Sequence, residues 1–292
     1  MHSYLRAIGF SKIKTNRELE VLLEDVYGNY DRRSAAKEDT GRAFLEMSKD
    51  FGPDMGITIC GEMDEEGFHR EYYYPYLRGT GITTREDVAV EKHGGAESYA
   101  GVCEDMRVGV SLIFYLQNSA EYKEAQFSHR LSGRQISTTF TGLSLQGKVL
   151  MPICKSEEQI VTDQEAAANR NHLIAAAKNG DEEAMESLTL EDIDTYTMVS
   201  RRIQQEDVFS IVDSFFMPYG MECDQYQILG EILNCQKVSN HVTGEKVYCL
   251  RVDCNGLQFD ICMNEKDLLG IPEEGRRFKG TVWLQGRINF EK

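Results

Sequence analysis

Leu19, Leu22, Leu23 and Val26 recur at helical spacing and form one apolar stripe. Thr15 or Asn16 precedes them as a cap, so the pattern predicts a helix to about Tyr27. The opening YLRAIGF reads as a short strand, and the polar residues 28–41 read as loop. A period of two then takes over. Ala43, Leu45 and Met47 alternate with polar or aromatic neighbours, DFGPD makes a turn, MGITICGEM is a second strand, DEEG turns again, and FHREYYYPYL is a third. Strict alternation on that third strand puts Phe68, Arg70, Tyr72, Tyr74 and Tyr76 on one face, with His69, Glu71 and Tyr73 on the other. Pro75 has no N–H to donate, which suits an edge strand or a strand end.

Residues 79–105 interrupt the alternation with five glycines and no clean period, beyond a helical turn in TTREDVAVEK. They read as a long loop of the kind that often carries function. MRVGVSLIFYLQ resumes the sheet, a polar stretch from Glu121 to Arg130 follows, and RQISTTFTGLSLQGKVLMPI reads as a hairpin. From Thr162 the period becomes helical: TDQEAAANRNHLIAAAK, DEEAMESL and LEDIDTYTMVSRRIQQ predict three helices. The chain ends in strands, QILGEIL, EKVYCLRVDC and LQFDICM, then a short helix NEKDLLG, then RFKGTVWLQGRINF. That order suggests a small barrel, as in oligonucleotide/oligosaccharide-binding folds. The expected architecture is α+β with a mostly antiparallel sheet. It divides into an α+β unit over 1–155, a helical segment over 156–208 and a small β unit over 209–292.

Charge changes the picture more than composition does. The chain of 292 residues carries a net −16, and residues 156–224 hold 16 acidic and 4 basic residues, while 225–292 hold nine of each. An acidic middle repels phosphate backbones and anionic lipid, so non-specific nucleic-acid or membrane binding is not expected. The acidic face is either simply solvated or a docking surface for a basic partner. No secretory signal or spanning helix is legible, which points to the cytoplasm. Eight cysteines without CxxC spacing then read as reduced, mostly buried thiols rather than disulfides or zinc ligands.

Motifs for chemistry are sparse. GLSLQGKV at 142–149 matches a phosphate-binding loop up to its last position, but Val149 replaces the hydroxyl and an apolar strand-like run follows where a helix is required. The six histidines, His2, His69, His93, His129, His172 and His241, show neither HExxH nor HxH spacing. Asp181–Glu183 and the group Glu191, Asp192 and Asp194 sit at expected helix starts, where the helix dipole accounts for them. No metal site and no cofactor is expected.

Several stretches together resemble a family of uncharacterised proteins from anaerobic bacteria, a domain of unknown function: MHSYLRAIGF, FHREYYYPYL, GVSLIFYLQN, GDEEAMESLTLEDIDTY, EDVFSIVDSFFMPYG and RRFKGTVWLQGRINF. The resemblance covers the whole chain and implies a bacterial cytoplasmic protein. It brings no catalytic residues with it.

One region combines titratable groups, aromatic surface and a glycine-bearing loop. His69, Arg70, Glu71, Tyr72, Tyr74, Tyr76, Arg78 and His93 are therefore the candidate binding residues, against the alternative of an ordinary half-buried sheet. Three functions stay open: a non-catalytic binding or interaction protein, an enzyme with an acid/base site over residues 69–93, and a nucleic-acid binder. The last would stack bases on Tyr248, Phe259, Phe278 and Trp283 of the carboxy-terminal unit, residues that equally suit a core.

Overall fold

The computed structural model describes residues 2–37, 42–93, 98–128, 136–221 and 223–290. It is α+β and holds two sheets. The first 3-10 turn, Ser3–Ile8, replaces the expected opening strand. Tyr4, Leu5, Ala7 and Ile8 are all buried, a spacing that surrounds a turn with core, and Gly9 closes it at φ +90 in the left-handed region. Helix α1 (Asn16–Gly28) follows as expected. Thr15 and Glu18 form a capping box, and Leu19, Leu22, Leu23 and Val26 are buried.

The first sheet contains β1 (Arg32–Lys37), β2 (Ala43–Gly52), β3 (Met55–Met63) and β4 (Phe68–Leu77), all antiparallel and in that order. β1 lies where a loop was expected. It is an edge strand with only Ala36 buried, so no apolar alternation marks it. β4 is the other edge and carries Pro75, in keeping with the missing donor.

The expected long loop over 79–105 is largely a hairpin of β5 (Val88–His93) and β6 (Ser98–Asp105), antiparallel from Val88↔Cys103 to His93↔Ser98. Gly101 is there because a Cβ would meet the Phe114 ring at 2.1 Å. β7 (Val110–Leu116) and α2 (Ser119–Phe127) follow. The expected hairpin over RQISTTFTGLSLQGKVLMPI is instead a single strand, β8 (Ser137–Leu150). The phosphate-loop-like run 142–149 lies wholly within it, and Gly147 faces Gly280 in the ladder rather than turning.

Ser156 caps α3 (Glu157–Lys178), and Asp181 caps α4 (Glu182–Arg202). α4 merges two of the expected helices, so Glu191 and Asp192 stand mid-helix, where they pair with Arg170 of α3. After α5 (Val208–Ile211) come β9 (Phe215–Pro218), β10 (Gln225–Ser239), β11 (Lys246–Cys254), β12 (Leu257–Asn264), β13 (Leu268–Leu269) and β14 (Arg277–Asn289). The expected NEKDLLG helix shrinks to a 3-10 turn at Glu265–Asp267.

The second sheet has ten strands, five of which close a barrel. β10 pairs β11, β11 pairs β12, β12 pairs β8 in parallel, β8 pairs β14, and β14 returns to β10. The barrel thus needs β8 from before the helical segment as well as the strands after it. β14 also pairs β7, which extends the sheet to β6 and β5. Phe140, Phe259, Phe278, Val282 and Leu284 belong to the core of this second sheet, while the α1 side chains pack with Met47, Ile57 and Ile59 in a separate core.

Candidate functional site

Strand β4 does not present its side chains as alternation predicts. Cys60 pairs Tyr72 and Gly61 pairs Arg70, so Glu71 is an extra residue, a β-bulge. The bulge reverses the faces. Phe68 and Arg70 point to α1, where Phe68 stacks on Tyr27 at 5.4 Å and Arg70 holds Glu20 at 2.6 Å. Tyr72, Tyr74 and Tyr76 point to the opposite side. The single face expected for Arg70 with the three tyrosines is therefore corrected.

Apart from Arg70, the expected site residues separate into four places. His69 is exposed and lies 3.1 Å from Asp64 in its own turn, and Glu71 is exposed at the bulge. Tyr76 is buried and donates to Asp50 at 2.5 Å, while Arg32 donates to the Tyr76 hydroxyl at 2.6 Å. Arg78 joins this end of the strand through Asp54 at 3.0 Å. His93 belongs to the other sheet, and its side chain lies outside the described residues. Tyr72, half-buried, and Tyr74, fully buried, turn inward with Cys60 and Glu46, and the Tyr74 hydroxyl donates to the Gln117 carbonyl at 2.7 Å.

That inward side leads to an aromatic cluster. Tyr74 packs on Tyr115 of β7, with ring centroids 4.7 Å apart, and Tyr115 packs on Trp283 of β14 at 5.3 Å. His2 and Tyr4 bring their rings to 4.7 and 5.2 Å from the same indole. The closeness follows from topology. β14 pairs β7 at Gln285↔Tyr115, and the amino-terminal 3-10 turn packs beside β8 and β12. Above the cluster opens a cavity of about 400 Å³, lined by His2, Tyr4, Tyr99, Tyr115, Asp224 and Trp283 among others. Asp224 accepts the Trp283 indole N–H at 2.6 Å, which fixes the ring in plane.

Ser3, Asp224 and Gln225 add polar groups to the lining. Three buried side-chain polar atoms among the described residues lack a hydrogen-bond partner. Two of them, His2 Nδ1 and Tyr115 Oη, belong to residues that line it. Burial pushes the His2 imidazole down to about 4, so it is neutral at pH 7 and cannot serve there as a charged acid. Burial also lifts the hydroxyls of Tyr72, Tyr74 and Tyr115 above the ordinary tyrosine value, which keeps them protonated donors. Among the described residues, no three His, Cys, Asp or Glu side chains converge as metal ligands would. No described helix is long and apolar enough to cross a membrane.

A family model described as "Domain of unknown function, E. rectale Gene description (DUF3881)" matches residues 5–286. The chain belongs to that family. No curated protein and no solved structure matches it. For a DUF3881 chain the geometry must therefore speak for itself, and the residues that line the cavity were not those singled out by pattern. Trp283 was noted only as a stacking or core residue of the carboxy-terminal unit. His2, Tyr4, Tyr99, Tyr115 and Asp224 carried no local signal, because five separate segments supply the lining. The one available sign was the lone tryptophan on a strand-like run. The other aromatics considered for base stacking do not line this cavity: Phe259 and Phe278 are fully buried and Tyr248 lies under Lys237, while Trp283 lines it although only 5% exposed.

Proposed function

We propose that this protein is a non-catalytic binding protein of the cytoplasm that holds a flat aromatic small molecule in the cavity lined by Tyr99, Tyr115 and Trp283. The observation that carries the reading is the aromatic cavity itself. Its size falls within the range of small-molecule sites, and five of the eleven described residues that line it carry rings. A planar ligand stacks on rings at little entropic cost. The cytoplasmic part of the reading is supported by eight unpaired cysteines, four of them buried. An acid/base enzyme centred on His69 and Glu71 is less well supported, since both side chains are exposed at the bulge and turn rather than enclosed.

Trp283 is the only tryptophan, so its fluorescence reports this cavity alone. Adenosine and nicotinamide are titrated as flat probes, with cyclohexanol as a non-planar control. Saturable quenching by at least one flat probe, weakened about tenfold in Tyr99→Ala, is expected. Quenching that stays linear in concentration, or equals the cyclohexanol response, would overturn the reading.

A further inference from the structure

The helical hairpin stands apart from both sheets. Its apolar contacts are its own: Ile174 and Ala177 of α3 pack on Ala184 and Leu188 of α4 as a separate small core. Polar links tie it to the body. Lys155 joins Asp163 and Asp213 at 2.7 and 2.6 Å, and Lys178 at the hairpin tip pairs with Glu86. The helices have 22 and 21 residues, so each extends about 30 Å.

One side of α4 exposes large apolar residues, with Ile203 just past the end of the helix. Met185, Ile193, Tyr196 and Ile203 recur at 8, 3 and 7 residues, steps that keep them on one stripe. They are 43%, 55%, 76% and 47% exposed. Glu182 lies within that arc, and Glu186 and Asp192 stand at its edges. Asp192 is held by Arg170, whereas no ion pair engages Glu182 or Glu186 among the described residues. Residues 157–202 carry eleven acidic and four basic side chains, a net of −7.

We propose that this face of α4 docks a basic amphipathic helix of a protein partner. The stripe supplies the anchors for the partner's apolar side, and Glu182 and Glu186 supply the counter-charges for its lysines or arginines. The same charge disfavours the other occupants. A second copy would bring its own net −7 hairpin against this one, and anionic lipid or nucleic acid is repelled likewise. Exposed apolar residues on a well-capped helix fit a surface that is covered only when a partner arrives.

The test uses the full chain and a fluorescein-labelled Leu/Lys amphipathic helical peptide in an anisotropy titration, with a scrambled peptide of the same composition. Ile193→Ser/Tyr196→Ser removes the anchors, and Glu182→Lys/Glu186→Lys reverses the acidic charge. All four side chains are exposed, so circular dichroism should show both variants folded. The expected result is salt-sensitive binding of the amphipathic peptide, at least about tenfold weaker in each double variant and for the scrambled peptide. The proposal is overturned if the scrambled peptide binds equally, if the Ser variant binds like wild type, or if sedimentation shows a dimer of this chain that the Ser variant abolishes.

Discussion

Replacing Glu46 by glutamine should change the pH dependence of stability in a predictable direction. Glu46 sits on β2 opposite Cys60, is 6% exposed, and accepts the Ser119 N–H at 3.0 Å where α2 begins. Burial raises its carboxyl from 4.5 to about 8. The backbone N–H of Ala120 opposes the rise, Glu121 adds to it, and Ser119 and Arg287 oppose it. Between pH 4.5 and 8 the folded protein therefore holds a proton that the unfolded chain releases. That contribution is complete below the unfolded value and fades as pH rises through 8. A shift of this size corresponds to about 5 kcal/mol over the full range, of which about 2.5 kcal/mol disappears between pH 6 and pH 9. Glutamine cannot titrate, so Glu46→Gln lacks this slope while every other group still contributes its own. Urea unfolding of both proteins at pH 6, 7.5 and 9, followed by circular dichroism, isolates the difference. The variant should gain about 2.5 kcal/mol on wild type between the two ends. A difference that stays constant to within about 0.5 kcal/mol would show that Glu46 is not held neutral and would refute the reasoning.

Three further outcomes are expected. His2 has a depressed folded value of about 4, so its contribution is present above the unfolded value of 6.5 and is lost as pH falls toward 4; His2→Phe should remove up to about 3 kcal/mol of that acid-side loss in urea unfolding compared at pH 7 and pH 4. Arg277 is 7% exposed and donates to the carbonyls of Met151, Phe209 and Val212, so Arg277→Met should cost about 2–4 kcal/mol and make the segment from Met151 to Asp213 the first cut in limited proteolysis, whereas an unchanged cleavage pattern would contradict this anchoring role. Gly147→Ala places a Cβ 2.5 Å from the Phe278 ring and should destabilise by about 1–3 kcal/mol, while a neutral effect on the urea midpoint would speak against the packed strand.

Elements whose stabilising contacts are local were legible in the sequence. α1 has its capping box and four-residue stripe within its own span, and β2, β3 and β4 are joined by short turns that the residue types mark. β8 was not legible as one strand. Its partners are β14, β12 and β13, far along the chain, and Gln146–Gly147 resembles a turn when read without them. β6 was hidden in part by Gly101, which serves close packing against Phe114 rather than loop freedom. The site suffered from both effects. Period-two reading places Arg70 beside Tyr72, and the one-residue bulge at Glu71 undoes that by turning the tyrosines inward. The tyrosines of β4 nonetheless lead to the cavity, because Tyr74 packs on Tyr115, and Tyr115 on Trp283.

If the cavity beside Trp283 binds a ligand, the indole N–H reports it. In protein labelled with ¹⁵N-tryptophan a single indole resonance is expected, slowly exchanging because its proton is held by Asp224. Titrating a flat aromatic probe should move that resonance along a saturable curve, with the same midpoint as the fluorescence change. A resonance that does not move while the probe is in large excess over the protein would contradict binding in this cavity.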